Sequence, residues 1–215
     1  MSPVAPVMVR PGTTDVTVFG EVYLRRVFDV ECPVPPVLIV DAGAYTGIST
    51  RWLCDRYPEA KVLGFEPHPE HAKLAGVNAP LALIRTRALA AESGKEIVLR
   101  DSDRGEWAAS TLEGHDGARI ATVPTMNLDE ALPEGWTPDL VKMDVEGMER
   151  EILEADPEWL RTVALLFIET HDRFLPGCTK ALQEALDRTG RRYTWATREG
   201  SDSHHVITFE GERDG

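Results

Sequence analysis

The sequence predicts an α/β protein: an open, mostly parallel β-sheet with helices on both faces, closed at its C-terminal end by an antiparallel hairpin. Three observations carry that reading. The run Val37-Leu38-Ile39-Val40 stops at Asp41-Ala42-Gly43-Ala44-Tyr45-Thr46-Gly47, and the apolar pattern resumes at helical spacing with Ile48, Trp52 and Leu53. A short apolar run without alternation is how a strand covered on both faces reads, so a glycine turn joins a buried strand to a helix start. Further apolar runs over 61–65, 139–143 and 163–168 lead into Glu66, Asp144 and Glu169. Finally, 193–197 and 205–209 alternate on either side of Gly200, the pattern of a hairpin.

With 215 residues the chain fills one core and hardly two, so residues 1–215 are read as a single domain. Charge narrows the partners. Twenty-three basic against 36 acidic residues leave a net −13, which repels phosphate backbones and anionic lipid and excludes nucleic acid as the expected substrate. Cys32, Cys54 and Cys178 are odd in number and widely spaced, so neither a disulfide framework nor a zinc site is expected, and a cytoplasmic setting is. No stretch of eighteen apolar residues predicts membrane insertion.

In chain order, residues 1–12 carry prolines at 3, 6 and 11 and read as a loose leader. Phe19 to Val30 is expected as a helix covering the sheet or the ligand, ended by Pro33, Pro35 and Pro36. After the first strand and its turn, the strand over 61–65 leads to Glu66, 25 residues beyond Asp41 and close to the spacing of a ribose-binding acid. Pro69 to Asn78 reads as a helix and Leu81 to Thr86 as a third strand; Ala88-Leu89-Ala90-Ala91 at its far end suits a slot for a flat ring. Residues 95–125 read as a β-rich insertion on the rim of the site, with Trp107, Ser110 and Thr111 as possible walls for a substrate. Asp139 to Asp144 is a fourth strand, followed by a helix carrying Met148, Ile152 and Leu153. Val163 to Ile168, the most apolar run, ends in Glu169-Thr170-His171, and Thr179 to Thr189 is a helix closed by Gly190. His204 and His205 are adjacent on a strand and face opposite sides, so a metal pair is not expected there.

Four strands therefore finish in Asp41, Glu66, Asp144 and Glu169, which a parallel sheet brings to one edge, where ligands of such sheets bind. The turn is expected to offer free backbone N–H groups to an anionic group. Tyr45 occupies the second glycine position of G-x-G-x-x-G, where a pyrophosphate needs close backbone approach. The carboxylate and amine of S-adenosylmethionine tolerate a side chain there, which makes a nicotinamide-dependent oxidoreductase the second choice and a non-catalytic cofactor-binding module the third.

The chain resembles the FkbM family of S-adenosylmethionine-dependent methyltransferases in four segments. These are Ile39 to Gly47, Gly64-Phe65-Glu66-Pro67, Val141-Lys142-Met143-Asp144-Val145-Glu146-Gly147-Met148-Glu149, and Phe167-Ile168-Glu169-Thr170-His171. The resemblance implies a Rossmann-like seven-stranded sheet, the class I methyltransferase fold. It also implies S-adenosylmethionine as cofactor and O-methylation of a small-molecule hydroxyl on a natural product, sugar or lipid. By the same resemblance Asp41, Gly43, Ala44 and Gly47 form the methionine-side turn, with Tyr45 in it where the family commonly has a small or polar residue, Glu66 with Pro67 holds the ribose, and Ala88 lines the adenine slot. Asp144 and Glu169 face the transferred methyl.

A hydroxyl must lose its proton, so a base is needed within hydrogen-bond reach. His171 is the first choice because its ordinary pKa leaves it largely neutral at pH 7, and Asp144 is the second, with orientation of the cofactor's amine as its other task. Lys142, on a buried strand, is expected to pair with a neighbouring carboxylate. The expected site holds no metal; in a metal-assisted alternative Asp144, Glu146, Glu169 and His171 would hold magnesium or manganese.

Overall fold

A computed structural model describes residues 6–100, 118–173, 175–198 and 200–210. Its ten strands in chain order are β1 (Leu38–Ala42), β2 (Lys61–Phe65), β3 (Leu83–Arg85), β4 (Ala88–Leu89), β5 (Glu96–Arg100), β6 (Arg119–Met126), β7 (Leu140–Met143), β8 (Leu165–Glu169), β9 (Tyr193–Thr197) and β10 (His204–Phe209). Seven of them form the main sheet in the order β3-β2-β1-β7-β8-β10-β9. The first five in that row are mutually parallel, and β10 runs antiparallel to both β8 and β9. The seven-stranded Rossmann-like sheet with its C-terminal hairpin is therefore present.

Neighbouring residues on the central strands face opposite helical layers, which is why those strands read as unbroken apolar runs. Val40, Val141 and Leu166 pack with Ile152 of α5 (Glu149–Glu154) and with Leu182 and Leu186 of α6 (Cys178–Thr189). Ile39, Leu140 and Leu165 turn the other way, onto Leu53 and Cys54 of α2 (Ile48–Arg56) and the side chains of Phe28 and Trp52. Chain order reverses between β1 and β7, and the crevice outside the carboxyl ends of those strands is the topological switch point where open α/β sheets bind ligands.

Two segments differ from expectation. The helix expected over Phe19 to Val30 is instead α1 (Asp15–Phe19) running into one wide π turn, Gly20–Leu24, with Arg25 N–H donating to the Gly20 carbonyl at 2.9 Å. The backbone of Arg26 is left-handed, φ 52°, which no helix continues through. Residues expected as a loose leader are held from Met8 onward, where the Met8 backbone exchanges hydrogen bonds with the Asn78 side chain at 2.7 and 3.0 Å. The described strands of the insertion, β5 and β6, form with β4 a separate small sheet, β4-β6-β5, with β5 antiparallel and β4 parallel to β6. Trp107, Ser110 and Thr111 lie outside the described residues. Among the described residues no helix is long and apolar enough to cross a membrane.

Candidate active site

A cavity of about 530 Å³ opens over the switch point. Its floor is the row of residues that follow the paired strand ends. Ala42 is in register with Phe65 and Met143, and Met143 with Ile168, so Gly43, Glu66, Asp144 and Glu169 come next, side by side, and all four line the cavity. Asp41 sits deeper. Its partners in the sheet are Gly64 and Lys142, and its carboxylate accepts hydrogen bonds from Ser49 and Thr50 at 2.8 and 2.7 Å, with Lys142 Nζ at 3.4 Å. Asp41 thus ties α2 to the sheet from behind the wall. Gly47 is behind it too, against α3 (Pro69–Asn78), where an added Cβ would lie 2.6 Å from Ala75 Cα.

Four amides of the glycine turn, expected to be free, are engaged within the fold. Gly43 and Ala44 N–H both donate to the Phe65 carbonyl at 2.9 Å, Tyr45 N–H to Glu66 at 2.8 Å, and Gly47 N–H to the Ala44 carbonyl at 2.8 Å. Gly43 lies so close to the end of β7 that a Cβ would sit 1.8 Å from the Asp144 carbonyl oxygen. Tyr45, at φ 48°, uses its phenol as a peg for the N-terminal segment: Arg10 donates to its oxygen at 2.9 Å, and the Thr14 hydroxyl is 2.9 Å away. That segment then roofs the cavity with Thr17, Val18, Glu21 and Val22 from α1 and the π turn.

At one end of the cavity Glu66 accepts a backbone hydrogen bond on each oxygen, from Tyr45 and from His68, both at 2.8 Å. Burial raises its pKa to about 8 against the pull of those two bonds. Burial likewise lowers His71, 3.9 Å from Glu66, to about 3, so burial pushes both groups toward their neutral forms. Pro67, Ala88 and Leu89 complete it.

The other end is acidic. Asp144, Glu146 and Glu169 line the cavity with Lys142 beside them, and Lys142 donates to the Gly43 carbonyl at 2.6 Å and stands 3.7 Å from Asp144, the carboxylate pairing expected of it. Burial would lower the pKa of Lys142, but Asp41 and Asp144 outweigh it and hold the amine protonated. Burial and neighbouring negative charge raise Asp144, and raise Glu146 to about 8. Burial would also raise Glu169, but the hydrogen bond from His204, at 3.1 Å, brings it down.

His171 departs from the sequence reading. It is only 1% exposed and lies behind the cavity wall, with Nδ1 2.8 Å from Glu149, itself fully buried. Burial works to lower its pKa, yet the bond to Glu149 and the charges of Glu149, Asp144 and Glu146 raise it to about 9. In place of a histidine exposed at the ligand edge there is a buried ring whose pKa the surrounding carboxylates push up. The reason is tertiary: α5 folds Glu149 back under the strand ends, where Val145 and Gly147 N–H also donate to it. Sequence reading missed Glu149 as a partner, although it ends the segment Val141 to Glu149; it also missed the cavity-lining Arg173 and Arg198. Of the vicinal histidines, His205 turns to Thr170 and Trp195, whereas His204 pairs across strands with Glu169, so they do face opposite sides.

Fold and site together define a Rossmann-like α/β protein with a partly acidic cavity at the switch point of its sheet. Residues 41–210 match the family model of the methyltransferase FkbM domain, and the chain belongs to that family of methyltransferases. Methyltransferase sdnD of Sordaria araneosa is 26% identical over 222 residues, covering 83% of this chain and 85% of its own. Among solved structures, precorrin-6y C5,15-methyltransferase of Geobacter metallireducens is similar with a TM-score of 0.43 at 18% identity, covering 82% of this chain and 80% of that one. A TehB-like S-adenosylmethionine-dependent methyltransferase of Corynebacterium glutamicum is similar with a TM-score of 0.45 at 15% identity, over 91% and 89% of the two chains.

Proposed function

We propose that the protein methylates a hydroxyl on a small natural product, sugar or lipid-like acceptor, with S-adenosylmethionine as donor. The observation that carries this reading is the convergence of Asp144, Glu146 and Glu169 on a cavity whose other end holds Glu66. The residues fit the cofactor: a buried acid stands at the end of the second strand, small and flat side chains flank it, and Asp144 Oδ1 is a buried atom with no hydrogen-bond partner among the described residues. When bound, S-adenosylmethionine supplies an electrophilic methyl group. The chain's own residues then bind, orient and take up a proton.

Glu66, with one lone pair still free on each oxygen, accepts the ribose hydroxyls beside Pro67, and Ala88 bounds the base. Gly43 and Ala44 form the wall beside them. Asp144 takes the proton that the acceptor hydroxyl loses, its carboxylate made more basic by burial and by neighbouring charge. Glu169 helps to align the acceptor, and His171 positions the acids from behind.

A dinucleotide fits less well, because the amides of Gly43, Ala44, Tyr45 and Gly47 are engaged inside the fold and cannot cradle a pyrophosphate. Thermal unfolding separates the readings. S-adenosylhomocysteine at about a hundred times its dissociation constant adds ~2.7 kcal/mol, or about 5–10 °C for a domain of this size, while NAD leaves the midpoint unchanged. A shift with NAD and none with S-adenosylhomocysteine or S-adenosylmethionine sinks the proposal.

Glu66 gives a second prediction. Glu66→Ala is expected to weaken S-adenosylhomocysteine binding by about 1.5–3 kcal/mol, or one to two powers of ten. In the unsubstituted protein the ligand favours the ionised carboxylate, so binding at pH 7 releases a proton, and affinity rises by up to about tenfold as pH passes through the pKa near 8. Calorimetry at pH 7 and pH 9, with Glu66→Gln as reference, checks this; equal pH dependence in both proteins removes the assignment.

A further inference from the structure

His171 is built into the site more firmly than a spectator needs to be. Its Nε2 faces three carboxylate oxygens, Glu146 Oε2 at 3.5 Å and Asp144 Oδ1 at 3.9 Å from the loop after β7, and Glu169 Oε1 at 3.9 Å from the end of β8. The oxygens are sorted. Lys142 takes the other oxygen of Asp144, Oδ2, at 3.7 Å, and His204 takes the other oxygen of Glu169, Oε2, at 3.1 Å. What remains turned toward His171 is Asp144 Oδ1, buried and without a hydrogen-bond partner among the described residues, and Glu169 Oε1, whose Ser203 contact is a long 3.5 Å. On the far side of the ring Nδ1 is fixed by the buried Glu149 carboxylate.

We propose that His171 Nε2, Asp144 Oδ1, Glu146 and Glu169 form a binding site for a divalent cation, manganese or magnesium, with Glu149 as the carboxylate that orients the imidazole. Asp144, Glu149 and His171 already present donor atoms within 4.8 Å of one another. A metal-bound histidine almost always gives its other ring N–H to such an outer carboxylate, which fixes the tautomer and the ring plane. Three hard oxygens and one imidazole suit manganese or magnesium better than metals that prefer thiolate. Ligands about 2.1 Å from an ion stand roughly 3 Å from their neighbours, so the three separations from His171 Nε2 each shorten by less than an ångström on binding. Glu146, Glu169 and Asp144 have side chains 22%, 17% and 34% exposed, and these supply the movement, while His171 stays fixed.

The role of the cation rests on the methyl-transfer reading: beside the acceptor it lowers the hydroxyl's pKa and lightens the demand on Asp144 as base. Its binding does not depend on that reading, so the two fail separately. Protein stripped with a chelator and desalted is titrated with manganese chloride alone, by calorimetry or by loss of the free-ion paramagnetic resonance signal. S-adenosylhomocysteine affinity is measured in parallel on the same samples. One manganese per chain is expected, and Glu146→Gln and Glu169→Gln are each expected to weaken it at least about tenfold, with unchanged circular dichroism. No manganese or magnesium binding up to about 10 mM by the folded protein overturns the proposal. So does manganese affinity that is the same in both variants as in the unsubstituted protein.

Discussion

Asp144→Asn is expected to lower single-turnover methyl transfer by roughly two to four powers of ten, the range that a positioned base contributes. The substitution is nearly isosteric, and it relieves rather than creates crowding, because Asp144 shares its end of the cavity with Glu146 and Glu169. The fold should therefore persist, with a melting temperature close to that of the unsubstituted protein. The two tasks open to Asp144 separate in the kinetics. Loss of the base lowers the rate at saturating cofactor, whereas loss of a partner for the cofactor's amine raises its dissociation constant and leaves the saturated rate nearly intact. A fall of less than threefold in the saturated rate, with chemistry limiting, would transfer the proton to Glu146 or to water.

Gly43→Ala is expected to cost about 3–5 kcal/mol of stability and to abolish cofactor binding with it. Two costs add. The backbone at φ 83° is left-handed, which an L-side chain adopts at about 1–2 kcal/mol, and the new methyl would have to occupy space 1.8 Å from the Asp144 carbonyl oxygen. Relief requires β1 and β7 to part at the switch point, which moves Asp144 away from its place beside Lys142. Urea denaturation measures the first effect and calorimetry with S-adenosylhomocysteine the second. A loss under about 1 kcal/mol would show that the end of β7 yields freely, and that close packing of the two strand ends is not what holds the site.

The seven strands and the row of acids were legible in the chain because each depends on local pattern, whereas the switch point came only with the strand order. Apolar runs covered on both faces, such as Leu38 to Val40 and Val163 to Ile168, cannot be satisfied at the surface, and the acids Glu66, Asp144 and Glu169 that follow such runs reach the cavity. The hairpin likewise followed from alternation around Gly200, while the insertion of β10 between β8 and β9 is a matter of tertiary pairing. Where the pattern was ambiguous, as from Phe19 to Val30, the chain chose a short helix and a π turn that fit a roof over the cavity.

The working state of each side chain was decided by neighbours distant in sequence. Spacing alone brings Asp41 to the edge, yet register with Lys142 and hydrogen bonds from α2 turn it into a buried tie. Tyr45 reads as an obstacle in a cofactor turn until Arg10 and Thr14 are seen to anchor on it. His171 shows the difference most clearly. Its position just past the strand over 163–168 was readable, but its protonation depended on a contest between burial and charge. Tertiary packing settled that contest by placing the fully buried Glu149 2.8 Å from one nitrogen and three cavity acids within 4 Å of the other. A pattern along the chain fixes which residues reach an edge; the sign and size of their interactions depend on distances and solvent exclusion that exist only once the elements have packed.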